Sequence, residues 1–79
     1  MKWLAELRRR AAQRRLAILD RVEKNDPIEM SRDVRWLKHH DYLFIEKRGQ
    51  RFFPTLTSKG VIAQLARDLR ITMHRRKPR

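Results

Sequence analysis

Apolar residues recur at helical spacing from Trp3 to Val22, stop around "EKNDP", and resume over Met30–Leu37. Between Tyr42 and Leu56 the period shortens to two, and from Val61 to Met73 it lengthens again. This reads as helix, helix, hairpin, helix. In the first helix, residues 3–24, Leu4, Leu7, Ala11, Ala12, Leu16, Ile18, Leu19 and Val22 form one broad stripe. Arg8 and Arg15 fall inside that stripe, so either the first turns overhang the domain or the helix breaks near Arg10. "RRRAAQRR" holds strong helix formers and no breaker, which favours the overhang. An overhang displaying Trp3, Leu4 and Leu7 needs a cover, and a second copy of the chain is the simplest; these three are the candidate homodimer contacts.

Asp26, Pro27 and Glu29 have the order of a capping box with proline at the first helical position, and Ser31 offers a second cap. The second helix therefore runs either from Pro27 to about His40 or, after a short turn, from Arg32. Either way Met30, Val34 and Leu37 share its apolar face. Arg32, Arg35 and His39 lie opposite, with Trp36 and Lys38 on the flanks. "YLFIEK" and "RFFPTL" flank Arg48-Gly49 and predict a short, exposed hairpin, with Pro54 near the end of an edge strand. A two-residue turn at Arg48-Gly49 pairs Ile45 with Phe52, and a three-residue loop pairs Ile45 with Phe53. Phe44 and Phe53, with Tyr42, are expected to fill the core. Thr57 caps a last helix from Ser58 to about Met73, with Ile62, Leu65, Leu69 and Met73 inward, and "HRRKPR" follows as a basic tail.

Charge changes the picture from a small helical domain to a candidate polyanion binder. The chain has 79 residues, 21 Lys and Arg against 9 Asp and Glu, and a formal net charge of +12. Fifteen of the 21 are Arg, whose planar fork of donors suits phosphates and guanine edges. Such an excess of basic charge is the footprint of nucleic-acid binding. The excess is uneven: residues 1–15 carry +5, residues 16–30 carry −2 and residues 31–51 carry +3.

Other chemistries find little support. Cysteine is absent, which excludes disulfides and thiolate metal sites. His39 and His40 are adjacent and point to different faces of a helix, and His74 stands apart, so no metal site is expected. No nucleophile has a base beside it and no glycine-rich phosphate loop is present, so no catalytic residue, cofactor or small-molecule ligand is expected. The N-terminal stretch is not apolar enough for a signal peptide, and no segment has the ~20 apolar residues of a membrane span. The expected location is the cytoplasm, at the nucleoid if the source is prokaryotic.

"VRWLKHHDYLFIEKRGQRFFPTLTSKG" resembles the second half of a winged helix-turn-helix DNA-binding domain. Leu56-Thr57-Ser58-Lys59-Gly60 matches the family's signature opening the helix after the wing, and Ile45-Glu46 and Arg48-Gly49 match the start and tip of the wing. The resemblance covers about residues 16–70. Two features depart from the pattern: Asp41 stands where the family usually has glycine, and Pro27–His40 is short for both helices of the motif.

The resemblance implies an α+β fold, a compact winged helix-turn-helix in one domain over residues 1–73, with a basic tail over 74–79. It implies binding of double-stranded DNA, as in a small transcriptional regulator of phage, plasmid or prokaryotic origin. The implied DNA contacts are Arg32, Arg35, Lys38 and His39 on the recognition helix and Lys47, Arg48, Gln50 and Arg51 on the wing. Arg75, Arg76 and Lys77 would add nonspecific phosphate contacts. Two alternatives stand beside this: a winged-helix interaction module for an acidic protein, and RNA binding with Tyr42 and Phe44 stacked on unpaired bases.

Overall fold

A computed structural model describes residues 2–70 as an α+β domain of three helices and one antiparallel hairpin. The order is α1 (Lys2–Glu23), α2 (Arg32–His39), β1 (Leu43–Arg48), β2 (Arg51–Leu56) and α3 (Ser58–Ala66). The body measures 43 × 41 × 19 Å. So thin a slab has room for one small core. Leu16, Leu19 and Val22 of α1 meet Val34 and Leu37 of α2, Tyr42 and Leu43 at the start of the hairpin, and Ala63 and Leu69.

Helix α1 runs unbroken through Arg10, and its burial begins only near Ala11. Twenty-two residues span about 33 Å, so the first two to three turns project beyond the core, with Trp3, Leu4 and Leu7 exposed. Arg8 is exposed in that overhang. Arg15 is not: its guanidinium sits over the Trp36 ring, 4.0 Å from its centroid, and its Nε donates to Asp33 at 3.0 Å. A guanidinium within an apolar stripe is thus accommodated by an aromatic face and a carboxylate on the next helix.

Between α1 and α2 the chain is not helical. Ser31 is the cap that operates: its hydroxyl accepts from the Val34 N–H at 3.2 Å, and α2 starts at Arg32. The Asp26-Pro27 capping box is unused: α1 closes through Asn25 in the left-handed conformation (φ 62°), and residues 26–31 follow without helix or strand. Ile28 and Met30 pack against the core from that segment.

All three helices end alike. The N–H groups of Asn25 and Asp26 reach back to the Val22 and Arg21 carbonyls. Those of Asp41 and Tyr42 reach Lys38 and Leu37, and those of Arg67 and Asp68 reach Gln64 and Ala63. Each is the nested pair of a Schellman motif, with Asn25, Asp41 or Arg67 at the positive-φ position usually held by glycine. Asp41 adopts this glycine-like conformation at φ 68°. Short polar side chains tolerate it best.

The hairpin differs from both expected registers. Arg48 pairs with Arg51 and Ile45 with Pro54, which makes Gly49-Gln50 the two-residue turn. Gly49 has φ 62° and Gln50 is not among the positive-φ residues, the pattern of a turn with glycine at its first central position. The register fixes the faces. Leu43, Ile45 and Lys47 lie with Leu56, Pro54 and Phe52 on the inner face, and Phe44, Glu46 and Arg48 lie with Thr55, Phe53 and Arg51 on the outer one. Tyr42 fills the core as expected, but Phe44 and Phe53 are exposed.

Helix α3 is shorter than expected and turned the other way. It ends at Ala66, and its inward residues are Gly60, Ala63 and Gln64 rather than Ile62 and Leu65, both of which are exposed. Leu69 is buried from the turn that follows, while Ile71, Met73 and the basic tail lie outside the described residues. Polar bonds to α1 set this rotation. The Gln64 amide donates to Asp20 at 3.0 Å and Glu23 at 2.6 Å, and Arg67 grips both Asp20 oxygens at 2.9 and 3.1 Å. Arg67 holds the Asp20 carboxyl below its usual range, with Gln64 contributing.

Candidate nucleic-acid interface

Helix α2 owes its position to both ends. At its start, Asp33 accepts from Arg14 at 3.1 Å and from Arg15 at 3.0 Å, which ties α2 to α1. Burial alone would raise the Asp33 carboxyl, but the two guanidinium groups outweigh it and hold the group below its usual range. At its far end the Leu56–Gly60 stretch closes on the turn into the hairpin. Thr57 accepts from the Gly60 N–H and donates to the Asp41 carbonyl, and its own N–H bonds the Tyr42 carbonyl. Lys59 bonds the His40 carbonyl at 3.0 Å with its ammonium 4.6 Å from the centre of the Tyr42 ring. Trp36 braces the same junction, stacked on His40 (3.9 Å) and Tyr42 (5.8 Å).

With Val34 and Leu37 buried, α2 turns Arg32, Arg35, Lys38 and His39 outward, and all four are exposed. Among the described residues none of the four is in an ion pair, whereas Asp33 in the same helix is already neutralised by α1. The helix face is therefore cationic without a local counter-charge.

The pleat divides the predicted wing residues. Lys47 lies on the inner face of the hairpin, the side where Ile45, Phe52 and Pro54 approach Ile28–Met30 and Val34. Arg48 and Arg51 lie on the outer face, and Gln50 is at the tip. Arg48 also has internal partners, Glu46 at 3.1 Å and the Phe53 ring at 5.0 Å. Lys47 and Arg51 are exposed and make no ion pair among the described residues. Arg75, Arg76 and Lys77 lie outside the described residues.

Sequence reasoning missed that Phe44 and Phe53 are exposed on the outer face of the hairpin; Phe52, on the inner face, is exposed as well. Both faces of "LFIEKR" and "RFFPTL" carry apolar residues, so alternation alone does not tell which face is inward. Among the described residues no group of His, Asp and Glu is arranged to hold a metal, and no helix is long and apolar enough to cross a membrane.

Comparisons of this chain with protein-family models, curated proteins and solved structures find no match.

Proposed function

We propose that the chain binds double-stranded DNA as a small winged helix-turn-helix protein, with α2 as the groove helix and the hairpin as the wing. The observation that carries this reading is the exposed basic face of Arg32, Arg35 and Lys38 on α2, with His39 beside them, none of which is in an ion pair among the described residues. An α-helix with its side chains is about 10–12 Å across, which suits a major groove about 12 Å wide. Eight residues span about 12 Å along the axis, the length of roughly three or four base pairs. The first helix of the motif is replaced by the non-helical segment 26–31, so α1 itself supports α2, through Arg14, Arg15 and Asp33. Lys47 faces the side of that segment and supplies a phosphate contact there, with Gln50 at the tip.

Phosphate contacts give affinity and base-edge contacts give preference. If about five cations take up phosphates, the logarithm of the binding constant falls with the logarithm of salt at a slope near −4.5. Arg32→Ala and Arg35→Ala each lower discrimination between preferred and random duplexes by about 1–3 kcal/mol. Lys47→Ala weakens all duplexes about equally and reduces the salt slope by about 1. Anisotropy titrations across salt measure all three. A flat salt response, or the same loss of preference from Lys47→Ala as from Arg35→Ala, contradicts the division of labour.

Two copies are proposed to pair through the α1 overhang, bringing Trp3, Leu4 and Leu7 together and presenting one α2 per half-site. Leu7→Glu then shifts sedimentation from dimer to monomer and leaves the circular dichroism unchanged. A wild-type chain that sediments as a monomer at concentrations saturating DNA removes this part of the proposal.

A further inference from the structure

The outer face of the hairpin has no role in the reading above, and its composition is unusual for a surface. Phe44 is 62% exposed and Phe53 is 38% exposed. They sit one diagonal step apart, since Phe44 pairs with Thr55 and Glu46 with Phe53. Diagonal neighbours on a sheet are roughly 7–8 Å apart, close enough to form one apolar platform. The sheet has two strands and the two rings point away from the core, so core filling does not account for them.

Charge narrows the choice of occupant. Arg48 and Arg51 stand opposite each other at one end of the platform. The acid on this face, Glu46, is engaged by Arg48, whose guanidinium lies 5.0 Å from the centre of the Phe53 ring. Arg51 has no acidic partner among the described residues, and the chain as a whole carries +12. Two exposed rings beside unneutralised guanidinium charge suit a ligand that is flat, apolar-faced and anionic along its backbone. Unpaired nucleotides have that chemistry. A paired duplex does not, because its base faces are hidden in the stack.

We infer that the outer face of the hairpin is a second binding site, for unpaired bases of single-stranded nucleic acid, separate from the duplex face of α2. Phe44 and Phe53 stack on bases, and Arg51 with Arg48 takes the adjoining phosphates. Stacking tolerates any sequence because every base has a π-face. A chain with both sites favours ends, gaps and locally opened duplexes over uniform double helix.

Fluorescence anisotropy with labelled oligothymidylate tests this on the full chain. Phe44→Ala and Phe53→Ala each weaken oligothymidylate binding about tenfold, and duplex affinity changes by less than about twofold. Phe44→Leu loses nearly as much as Phe44→Ala, because an aliphatic side chain keeps the apolar surface but not the flat face. Arg35→Ala behaves in the opposite way, so failure of the duplex reading leaves this outcome intact. Oligouridylate in place of oligothymidylate separates RNA from DNA as the preferred strand. Both rings are exposed, and unchanged circular dichroism checks that the variants are folded. Unaltered oligothymidylate affinity in both alanine variants overturns the inference, as does full retention by Phe44→Leu. So does a loss of self-association in Phe44→Ala with oligothymidylate affinity unchanged, which assigns the face to a second copy.

Discussion

Gly60→Ala lowers stability by about 3 kcal/mol, a large share of the roughly 4–10 kcal/mol available to a domain of this size. A Cβ at this position would lie 2.1 Å from the Tyr42 carbonyl oxygen and 3.1 Å from its carbon. Both are backbone atoms, so relief requires the chain itself to move. The chain there is held from several sides: the Tyr42 N–H bonds Leu37, its carbonyl accepts from Thr57, and its ring is buried with its hydroxyl on the Leu69 carbonyl. Moving it loosens the end of α2, the base of the hairpin and the start of α3 together. Thermal unfolding should shift down by roughly 15 °C. Gly49→Ala is the informative contrast. Nothing lies within 4 Å of a Cβ there, and its φ of +62° is the whole penalty, about 1–2 kcal/mol. Equal effects at the two glycines would mean that the close approach of Gly60 to Tyr42 does not exist in solution.

Leu37→Ala should cost about 3 kcal/mol. Leu37 is fully buried, packed in the core that also holds Leu19, Tyr42 and Ala63. Its removal leaves a cavity under the helix that displays the cationic face, so on the proposed function duplex affinity falls with stability. Leu65→Ala should change stability by less than about 0.5 kcal/mol, because Leu65 is 78% exposed. Denaturant midpoints for both variants check this. A loss at Leu65 as large as at Leu37 would restore the helical wheel read from sequence, with Leu65 inward, and contradict the observed rotation of α3.

That rotation shows where local pattern stops being informative. Ile62, Leu65 and Leu69 have helical spacing, so periodicity makes them the buried face. The structure instead buries Gln64, because Asp20 and Glu23 of α1 offer it two acceptors and a hydrogen-bonded amide is inexpensive to bury. No local rule links residue 64 to residues 20 and 23. The helix ends were equally opaque, since glycine marks Schellman motifs and here Asn25, Asp41 and Arg67 take that role. The hairpin itself was plain from its period and from Gly49. Its register was not, because a single glycine fits either place in a two-residue turn.

The candidate site was more readable than the packing. Arg32, Arg35 and His39 lie opposite Val34 and Leu37 by helical geometry alone, and the structure exposes them. The partition of the hairpin was hidden until the register was known, because a shift of one residue exchanges its faces. Lys47 therefore separates from Arg48 and Arg51, and Phe44 and Phe53 come to the surface. The Leu56–Gly60 resemblance also changes meaning. Thr57, Lys59 and Gly60 hold the end of α2 against the hairpin, so that stretch positions the basic helix.

Amide chemical shifts followed while a DNA duplex is titrated into the full chain test the proposal at its base. Changes clustered over residues 32–39 and at Lys47 are the predicted result, with smaller changes at Phe44 and Phe53 until unpaired strand is added. Changes confined to residues outside 32–51 would mean that the exposed face of α2 does not meet DNA, and the proposed function would fall with it.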